Sequence, residues 1–422
     1  MEYIDDIKEV DRGWLNGIAK TITFIVTKDC QLACKYCYLV GKNENERMTL
    51  EMAKDVVDYI LDNRSFFKED SVIWEFIGGE PFLEIDLIDN ICDYIKIQMY
   101  KKNHHWFNSY RFNFSTNGIN YHTDKVQSFI KKNWHHLSLG ITIDGTKRKH
   151  DLNRIWKTPK MVKELLPEPD EEHGSYDDVV RNIPLWLSQF PNAATKVTIS
   201  SEDIPYIKES VLHLYSLGIH EVNINVVYEK VWRDGDDVDF ENQLVQLADE
   251  IIDQGYYLNF ACSFFSETIG KPMNVHSDNR NWCGAGRMLS VDAAGNFYPC
   301  TRFAQYSLRT KQARMIGNIK DGVDLNKVRP FIVLDRVLQS PHECIDCDVA
   351  SGCGWCQGEN YDVADTPTVY MRSTAICKMH KARVRANNYY WNKLYRKLEL
   401  EGFAKDEAAK HVKRETSNTQ IC

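Results

Sequence analysis

Residues 21–37 read Thr-Ile-Thr-Phe-Ile-Val-Thr-Lys-Asp-Cys-Gln-Leu-Ala-Cys-Lys-Tyr-Cys, an apolar run followed closely by three cysteines. The β-branched and aromatic residues of Thr21–Thr27 predict a buried strand. Cys30, Cys34 and Cys37 are spaced C-x3-C-x2-C and supply three thiolates, one fewer than the four that a 4Fe–4S cluster takes. Such a cluster leaves one iron free for a ligand that is not protein. The alternatives are a zinc knuckle or three unrelated core thiols.

Outward from this stretch, short β-rich runs alternate with helical patterns. The strand candidates are Thr21–Thr27, Val72–Ile77, Arg111–Ser115, Leu137–Ile143, Lys196–Ser200 and Val222–Val227. The helical patterns are a segment capped by Thr49, then Leu83–Ile95, Asp177–Phe190, Ile204–Leu217 before Gly218, and Phe240–Gly255. Six β–α repeats predict an α/β fold with parallel strands. Six are too few for a closed eight-stranded barrel, so we expect an open, partial (β/α)6 barrel.

Polar and glycine-rich motifs follow several of these strands. They are Gly78-Gly79-Glu80-Pro81, Ser115-Thr116-Asn117-Gly118, Thr142-Ile143-Asp144-Gly145 and, further on, His150-Asp151-x-x-Arg154. The carboxyl ends of parallel strands share one edge, so we expect these motifs to converge beside the cysteines. Taken singly, the glycine motif fits an ordinary turn and Arg154 a surface salt bridge. His150 is predicted to be structural rather than a base.

This string of motifs, with Tyr36 directly before Cys37, resembles the peptide-modifying branch of the radical S-adenosylmethionine (SAM) enzymes. The resemblance implies that Cys30, Cys34 and Cys37 are the catalytic cysteines, because they hold the cluster that cleaves SAM. It implies SAM contacts from Tyr36, Gly78, Gly79, Glu80, Ser115, Asn117, Thr142, Asp144 and Arg154. Glu80 would accept from the SAM ammonium, and Thr142 and Arg154 would hold its carboxylate. Thr142 stands where the branch usually has Ser but keeps the hydroxyl.

A second cysteine group lies toward the C-terminus. Its members are Cys283, Cys300, Cys344, Cys347, Cys353, Cys356 and Cys377. The group resembles the SPASM domain, which binds two auxiliary iron–sulfur clusters, although Cys353 and Cys356 are closer than usual. The resemblance implies three 4Fe–4S clusters in all, with ten cysteine ligands. The alternative is a zinc ribbon made of Cys344, Cys347, Cys353 and Cys356.

By the same resemblance, one auxiliary cluster is complete and the other lacks a ligand. Cys344, Cys347, Cys353 and Cys377 would hold the first, and Cys283, Cys300 and Cys356 the second. The open iron would suit a substrate thiolate, a soft ligand. The alternative is that Cys262 or a side chain other than cysteine closes the site. Thr301 stands where sulfatase maturases carry an Asp base, which weakens a sulfatase-maturase interpretation.

Composition limits the function classes. The 422 residues carry a net charge of −8, which argues against a general nucleic-acid binder. The first residues lack the pattern of a signal peptide, and no apolar run is long enough to span a membrane. We therefore expect a cytoplasmic protein whose thirteen cysteines serve metal or redox chemistry rather than disulfides. Cys92 is predicted to be a buried thiol, and Cys422 to be mobile.

The expected organisation has five parts: an N-terminal segment 1–19, a barrel 20–235, a bridging segment 236–282, an auxiliary-cluster domain 283–380 and a helical tail 381–422. The polar segment Lys157–Gly174 is predicted to be a surface insertion that serves as a lid. The basic run Lys378–Lys397 is either a solvated helix face or a dock for an acidic peptide. Only 29 residues precede Cys30, so no leader-binding domain of the usual size is expected before it.

These patterns favour a radical SAM/SPASM enzyme that installs thioether cross-links in a ribosomally made precursor peptide containing cysteine. Residues 376–387 also resemble maturases whose targets carry Cys-x-x-x repeats. An electron donor of the flavodoxin or ferredoxin type is implied, and neither nucleic acid nor membrane is an expected partner. The enzymatic alternatives are carbon–carbon cross-linking or oxidation of Ser or Cys. The alternative outside catalysis is a zinc or iron–sulfur scaffold.

Overall fold

The computed structural model describes residues 19–41, 45–157, 173–273, 283–364, 369, 372–403 and 412–413. Residues 158–172, which make up most of the predicted lid, lie outside the described residues, as do Cys422 and the N-terminal segment before residue 19. In the described part of the chain, no helix is long and apolar enough to cross a membrane.

The first sheet is built around the opening strand. β1 (Ala19–Thr27), β2 (Ser71–Gly78), β3 (Tyr110–Thr116) and β4 (Leu137–Ile141) pair in parallel and in that order. Burial alternates along β2, so one face packs on the helices while the other faces inward. Phe24, Phe76 and Phe114 stack on the helix side, with neighbouring ring centroids 5.6 and 5.2 Å apart. This aromatic row fixes the strands whose carboxyl ends carry the motifs.

A second sheet continues the same chain order. β5 (Thr195–Ile199), β6 (Glu221–Val226) and β7 (Ala261–Cys262) are parallel, and a single parallel bridge between Thr142 and Lys196 joins this sheet to β4. The six predicted strands are therefore present, with slightly shifted ends. The predicted parallel pairing is observed among β1 to β4 and between β5 and β6.

The opening strand is not at the edge of its sheet. β8 (Leu289–Val291) pairs with β1 in parallel, and β9 (Asn296–Tyr298), β10 (Gly317–Asn318) and β11 (Gly322–Val323) extend the sheet antiparallel beyond it. These strands could not be predicted from the sequence, because runs of two or three residues carry no periodic signal. The second cysteine group is thus attached directly to the first sheet.

Helices cover the outer faces of the sheets. Their bounds are α1 (Leu50–Asp62), α2 (Ile85–Lys101), α3 (Asp124–Asn133), α4 (Lys147–Asn153), α5 (Tyr176–Val180), α6 (Ile183–Gln189), α7 (Ile207–Ser216), α8 (Asp236–Asp253), α9 (Leu325–Ile332), α10 (Arg336–Gln339), α11 (His342–Ile345), α12 (Gln357–Val363) and α13 (Cys377–Leu400). α1 begins as predicted, since the Thr49 hydroxyl accepts the Met52 N–H at 3.1 Å.

The prediction of one continuous helix over Asp177–Phe190 is wrong. Asp177–Phe190 was expected as a single helix, but α5 and α6 are separated by Arg181 and Asn182. Pro184 has no N–H and tolerates only the first turn of a helix, so the helix restarts there. Asn182 instead donates its side-chain amide to the Gly118 carbonyl at 2.8 Å, which ties this break to the end of β3.

The basic tail packs within the molecule. α13 lies against α8, which has an acidic face. Lys393 pairs with Asp249 at 2.7 Å, and Arg385 pairs with Glu241. Acids of α8 therefore match two of the seven basic residues in the run that suggested either a solvated face or a peptide dock. α13 begins at Cys377 and runs without interruption across residues 380 and 381.

Candidate active site

The cysteine loop after β1 is held by backbone bonds to the end of β2. The Gly79 N–H donates to the Thr27 carbonyl at 3.1 Å, and the Glu80 N–H donates to the Asp29 carbonyl at 2.8 Å. From β3, the Asn117 amide donates to the side chain of Gln31 at 3.0 Å. Three of the motifs expected at one edge therefore meet there.

Gly79 is a close-packing position. A Cβ at residue 79 would lie 2.1 Å from the Asp29 carbonyl oxygen and 2.9 Å from Cβ of Cys30. The sequence suggested that glycine here admits a ligand close to the backbone. In the structure, the absence of a side chain at residue 79 lets the cysteine loop pack against the backbone. Residue 79 therefore helps to fix the position of Cys30.

Glu80 is buried and already has three donors. Its carboxylate accepts the Thr116 hydroxyl at 2.6 Å and the backbone N–H groups of Asn117 and Phe82 at 2.7 and 3.0 Å. Burial raises the pKa of Glu80, and these hydrogen bonds oppose the rise. A carboxylate has about four acceptor positions, so about one is left for a ligand ammonium.

Tyr36, Asp144 and Arg154 form one buried unit. The Tyr36 hydroxyl donates to Asp144 at 2.5 Å and accepts from Nη1 of Arg154 at 3.0 Å. Burial raises the pKa of Tyr36, and Asp144 and Cys34 add to the rise while Arg154 opposes it. The Arg154 charge thus stands within reach of the cysteine loop, and its buried Nε has no hydrogen-bond partner in the described residues.

His150 links Asp144 and Arg154 through hydrogen bonds to the backbone of both residues. Its Nε2 donates to the Ser175 hydroxyl at 3.0 Å, that hydroxyl donates to the Arg154 carbonyl at 2.6 Å, and Nδ1 accepts the Asp144 N–H at 3.3 Å. Burial lowers the pKa of His150 well below its usual value, so the ring is neutral. These bonds give His150 the structural position that was predicted.

Ser115 and Thr142 are half-buried at the ends of β3 and β4. The Thr142 N–H donates to the Thr116 carbonyl at 3.0 Å, so its position is fixed by the neighbouring strand. No hydrogen bond of either hydroxyl is present within the described ranges. Both hydroxyls are thus available at the edge where Arg154 has an unpaired donor.

The inner face of the first sheet is polar, a feature that the sequence analysis missed. Glu75 on β2 accepts the Thr23 hydroxyl at 2.8 Å and the Asn113 amide at 2.9 Å. Burial lowers the pKa of Lys196 on β5, against the attraction of Glu75. The signal was available in the polar residues that alternate with apolar ones along β1, β2 and β3.

The four cysteines assigned to the complete auxiliary set are brought together. Burial raises the pKa of Cys353. The nearby charges of Cys377, Cys344 and Cys347 raise it further. Arg372 opposes that rise, and its Nη2 donates to Sγ of Cys353 at 3.0 Å. Cys377, which the zinc alternative does not use, is thus part of this set.

Cys283, Cys300 and Cys356 are all buried, and Arg302 packs against Gly358, two residues after Cys356. Burial opposes the charge on Arg302, but attraction to Cys356 and then Glu229 raises its pKa. The guanidinium lies over the Tyr38 ring, 4.1 Å from the centroid, one residue after Cys37. Segments from the two cysteine groups therefore touch through Arg302.

Two further cysteines can be placed. Cys262 is buried on β7, where its charge would be felt by Tyr215 and Tyr390. Cys92 is fully buried on α2, as predicted, and burial raises its pKa well above the usual value. A thiol with a raised pKa is poorly nucleophilic, so Cys92 fits an inert core position.

The described residues contain no group of three His, Cys, Asp or Glu side chains close enough for a single metal ion. A cubane cluster spreads its thiolates farther apart than one zinc ion does. The orphaned Nε of Arg154, the two free hydroxyls and the remaining acceptor position of Glu80 provide donors and an acceptor beside Cys34. These residues fit the carboxylate and ammonium of SAM at a cluster on this loop.

This chain is similar to a known family model and to known proteins. Residues 15–156 match the family model described as a 4Fe-4S single cluster domain. An uncharacterised protein of Methanocaldococcus jannaschii is 28% identical over 305 residues, which are 72% of this chain and 89% of that protein. The radical SAM cyclopropyl synthase TigE of Paramaledivibacter caminithermalis is 18% identical over 84% of this chain and 72% of its own length.

Solved structures show the same fold. Native anSMEcpe with bound AdoMet superposes with a TM-score of 0.62 at 17% identity, over 89% of this chain and 99% of that one. Streptococcus suis SuiB bound to precursor peptide SuiA gives 0.54 at 14% identity, over 89% and 79%. The α/β fold is that of the radical SAM maturase structures. The predicted resemblance to radical SAM maturases and the prediction of an enzyme are confirmed.

Proposed function

We propose that the chain is a radical SAM/SPASM maturase that forms thioether cross-links in a cysteine-containing precursor peptide. When bound, a cluster and SAM supply a 5′-deoxyadenosyl radical that removes a hydrogen atom from a carbon of the peptide. Overall, the carbon–hydrogen and sulfur–hydrogen bonds are broken and one carbon–sulfur bond is formed. The hydrogen atom ends in 5′-deoxyadenosine and the thiol proton is released. One electron leaves the peptide, which balances the electron used to cleave SAM. The cofactors supply the radical, and the protein supplies their placement.

The proposed SAM site uses the residues at the carboxyl edge of β1 to β4. Cys30, Cys34 and Cys37 hold the cluster. Arg154, fixed through Tyr36 and Asp144, directs its unpaired Nε at the SAM carboxylate, and Glu80 offers its remaining acceptor position to the ammonium. The other contacts we propose are Gly78, Gly79, Ser115, Asn117 and Thr142.

The single observation that carries the thioether proposal is the position of Arg302. Its guanidinium lies over the ring of Tyr38, one residue after Cys37, and its Cβ packs against Gly358, two residues after Cys356. We infer that Cys283, Cys300 and Cys356 hold the inner auxiliary cluster there, with one open iron for the substrate thiolate. Cys344, Cys347, Cys353 and Cys377 hold the outer cluster.

We further propose that the two sheets form the open partial barrel and that residues 283–380 form the SPASM domain. The segments 1–19, 236–282 and 381–422 are the flanking and bridging parts. A flavodoxin or ferredoxin would supply the electron. The cysteine-rich, cluster-dependent site favours a reducing cytoplasm.

Carbon–carbon bond formation is the second candidate. The observation that favours it is the named activity of TigE, a cyclopropyl synthase similar to most of this chain. Oxidation of Ser or Cys is less favoured because Thr301 replaces the expected Asp. The zinc scaffold is disfavoured because Cys377, which the ribbon would not use, lies with Cys344, Cys347 and Cys353.

Two measurements test the proposal. Reconstituted protein should hold about twelve irons per chain, and changing Cys30, Cys34 or Cys37 to Ala should remove about four irons and all 5′-deoxyadenosine production. The matched control is Cys92→Ala, which should leave both unchanged. Production of 5′-deoxyadenosine by any of the three variants would disprove the SAM site.

The bond type is tested with short cysteine-containing peptides encoded beside the gene. A thioether lowers the peptide mass by two hydrogens per link and protects one cysteine from alkylation. A peptide with Ser in place of each cysteine should still permit SAM cleavage but give no link. The Cys356→Ala enzyme should cleave SAM and give no link either. Linked product from the Ser peptide would favour carbon–carbon coupling instead.

A further inference from the structure

Two buried arginines accompany the two auxiliary cysteine sets, one at each. Arg372 is 9% exposed, donates to Sγ of Cys353 at 3.0 Å and lies 4.4 Å from the centroid of the Trp355 ring. Arg302, with a side chain 13% exposed, packs against Gly358, two residues after Cys356, and lies over Tyr38. Neither arginine was singled out by the sequence analysis.

The surroundings hold each guanidinium in place. Arg302 pairs with Glu229 at 3.2 Å, and Glu229 itself follows β6. A Cβ at Gly358 would lie 2.4 Å from Cβ of Arg302, so the glycine allows the segment after Cys356 to approach. Arg372 is fixed by its backbone N–H, which donates to the Gln339 carbonyl at 3.1 Å. These contacts orient the cations toward their cysteines.

Arginine keeps its charge at any working pH. The reduction potential of an iron–sulfur cluster depends on net charge and on hydrogen bonds to its sulfurs, and buried charges are weakly screened. A fixed cation beside a ligand sulfur stabilises the reduced cluster, which carries one more electron. Arg372 therefore acts on the cluster of Cys353, which it contacts, and Arg302 acts on the cluster of Cys356, whose chain it packs against at Gly358.

We propose that Arg302 and Arg372 are positioning residues that separately raise the reduction potentials of the inner and outer auxiliary clusters. This inference rests on the proposed function. The couple concerned is the one-electron step from the 2+ to the 1+ cluster. The electron is the one released when the new bond forms in the peptide, and it passes from the inner to the outer cluster and then to the external carrier.

The experiment is a redox titration of the reconstituted full-length protein, followed by paramagnetic resonance. Arg302→Met should make reduction of one auxiliary cluster at least tenfold less favourable, about 59 mV for one electron. Arg372→Met should shift the other cluster in the same direction. Each variant should leave the second auxiliary cluster at its wild-type potential.

Arg309 provides the matched control. It pairs with Glu359 and Asp362, in the same acidic cluster as Arg302, but its side chain is 40% exposed. Arg309→Met should therefore move either potential much less than Arg302→Met does. If Arg302→Met does not fold, Glu229→Gln provides a second test. Removing the negative charge beside Arg302 should raise the reduction potential of the inner cluster, the opposite of the Arg302→Met effect.

The outcomes separate this inference from the proposed function. Wild-type protein with only about four irons would refute the auxiliary clusters and the proposed function with them. About twelve irons with unmoved potentials in both arginine variants would refute only the role of the arginines. A shift of the same cluster in both variants would likewise show that each arginine does not serve its own cluster.

Discussion

At the residue scale, the site is assembled from side chains that are distant in sequence. Tyr36 comes from the cysteine loop, Asp144 from the end of β4 and Arg154 from the end of α4, yet one hydroxyl joins all three. The individual residues could be selected from their motifs. Their mutual bonds could not, because they depend on how β1 and β4 are placed by the sheet between them.

Gly79→Ala tests the packing of the cysteine loop. The added Cβ would collide with the Asp29 carbonyl and Cys30, so the loop must move and the cluster should be lost. We expect about four fewer irons per chain and no 5′-deoxyadenosine, measured after reconstitution. The control is Gly140→Ala, whose Cβ meets only the Ala194 carbonyl, at 3.3 Å. Full iron content in Gly79→Ala would contradict this account of the glycine.

His150 makes stability depend on pH. Burial lowers its pKa well below 6.5, so the folded state keeps it neutral while the unfolded state binds a proton below that pH. The unfolded state then holds more protons, and stability falls as the pH drops below 6.5, by up to about 1.4 kcal/mol per unit for one histidine. Above pH 6.5 this contribution is complete.

The comparison is between wild type and His150→Gln, by urea unfolding at pH 7.0 and 5.5. The loss of stability between the two pH values should be smaller in the variant. His104 and His380, whose pKa values burial lowers to about 4, add the same trend to both proteins and cancel. Equal losses in the two proteins would show that His150 is not held neutral.

At the element scale, long periodic segments were predictable and short ones were not. The strands β1 to β6 and the capped start of α1 follow from apolar alternation and from Thr49. β8 to β11 have only two or three residues each and are defined by pairing with remote strands. The pairing of α13 with α8 was also hidden, because matching charges on two helices do not reveal which surfaces meet.

The interface of α8 and α13 offers a prediction about which contacts matter. Leu394 is fully buried in the core that includes Leu244 and Leu247, so Leu394→Ala should cost about 2–5 kcal/mol. Asp249 accepts from Tyr389 and Lys393 but is 39% exposed, so Asp249→Asn should cost no more than about 1 kcal/mol. Unfolding in urea measures both, and the reverse order would contradict the burial argument.

At the scale of the whole molecule, the two cysteine groups share one sheet. β8 lies against β1, and the buried Lys20 bridges the same regions by pairing with Glu69 at 3.0 Å and donating to the Arg287 carbonyl at 3.0 Å. Burial lowers the pKa of Lys20 to about 8, against the attraction of Glu69. The sheet therefore depends on residues from both ends of the sequence.

A chain ending at residue 273 should not be a stable fragment. It lacks β8, so β1 becomes an open edge and Lys20 loses its carbonyl partner. We expect this chain to aggregate, as measured by sedimentation, or to show no cooperative unfolding transition on heating, as measured by circular dichroism. The control is a chain ending at residue 413, which retains all described residues. A soluble, cooperatively folded 273-residue chain would refute the dependence of β1 on β8.

The pairing of β1 with β8 also bears on how the protein is made in the cell. Lys20 and Arg287 are separated by 267 positions, and a ribosome adds about 5–20 residues per second. The first strand therefore waits roughly ten seconds to a minute for its neighbour. During that interval an apolar edge and three reactive thiols are exposed together on the nascent chain.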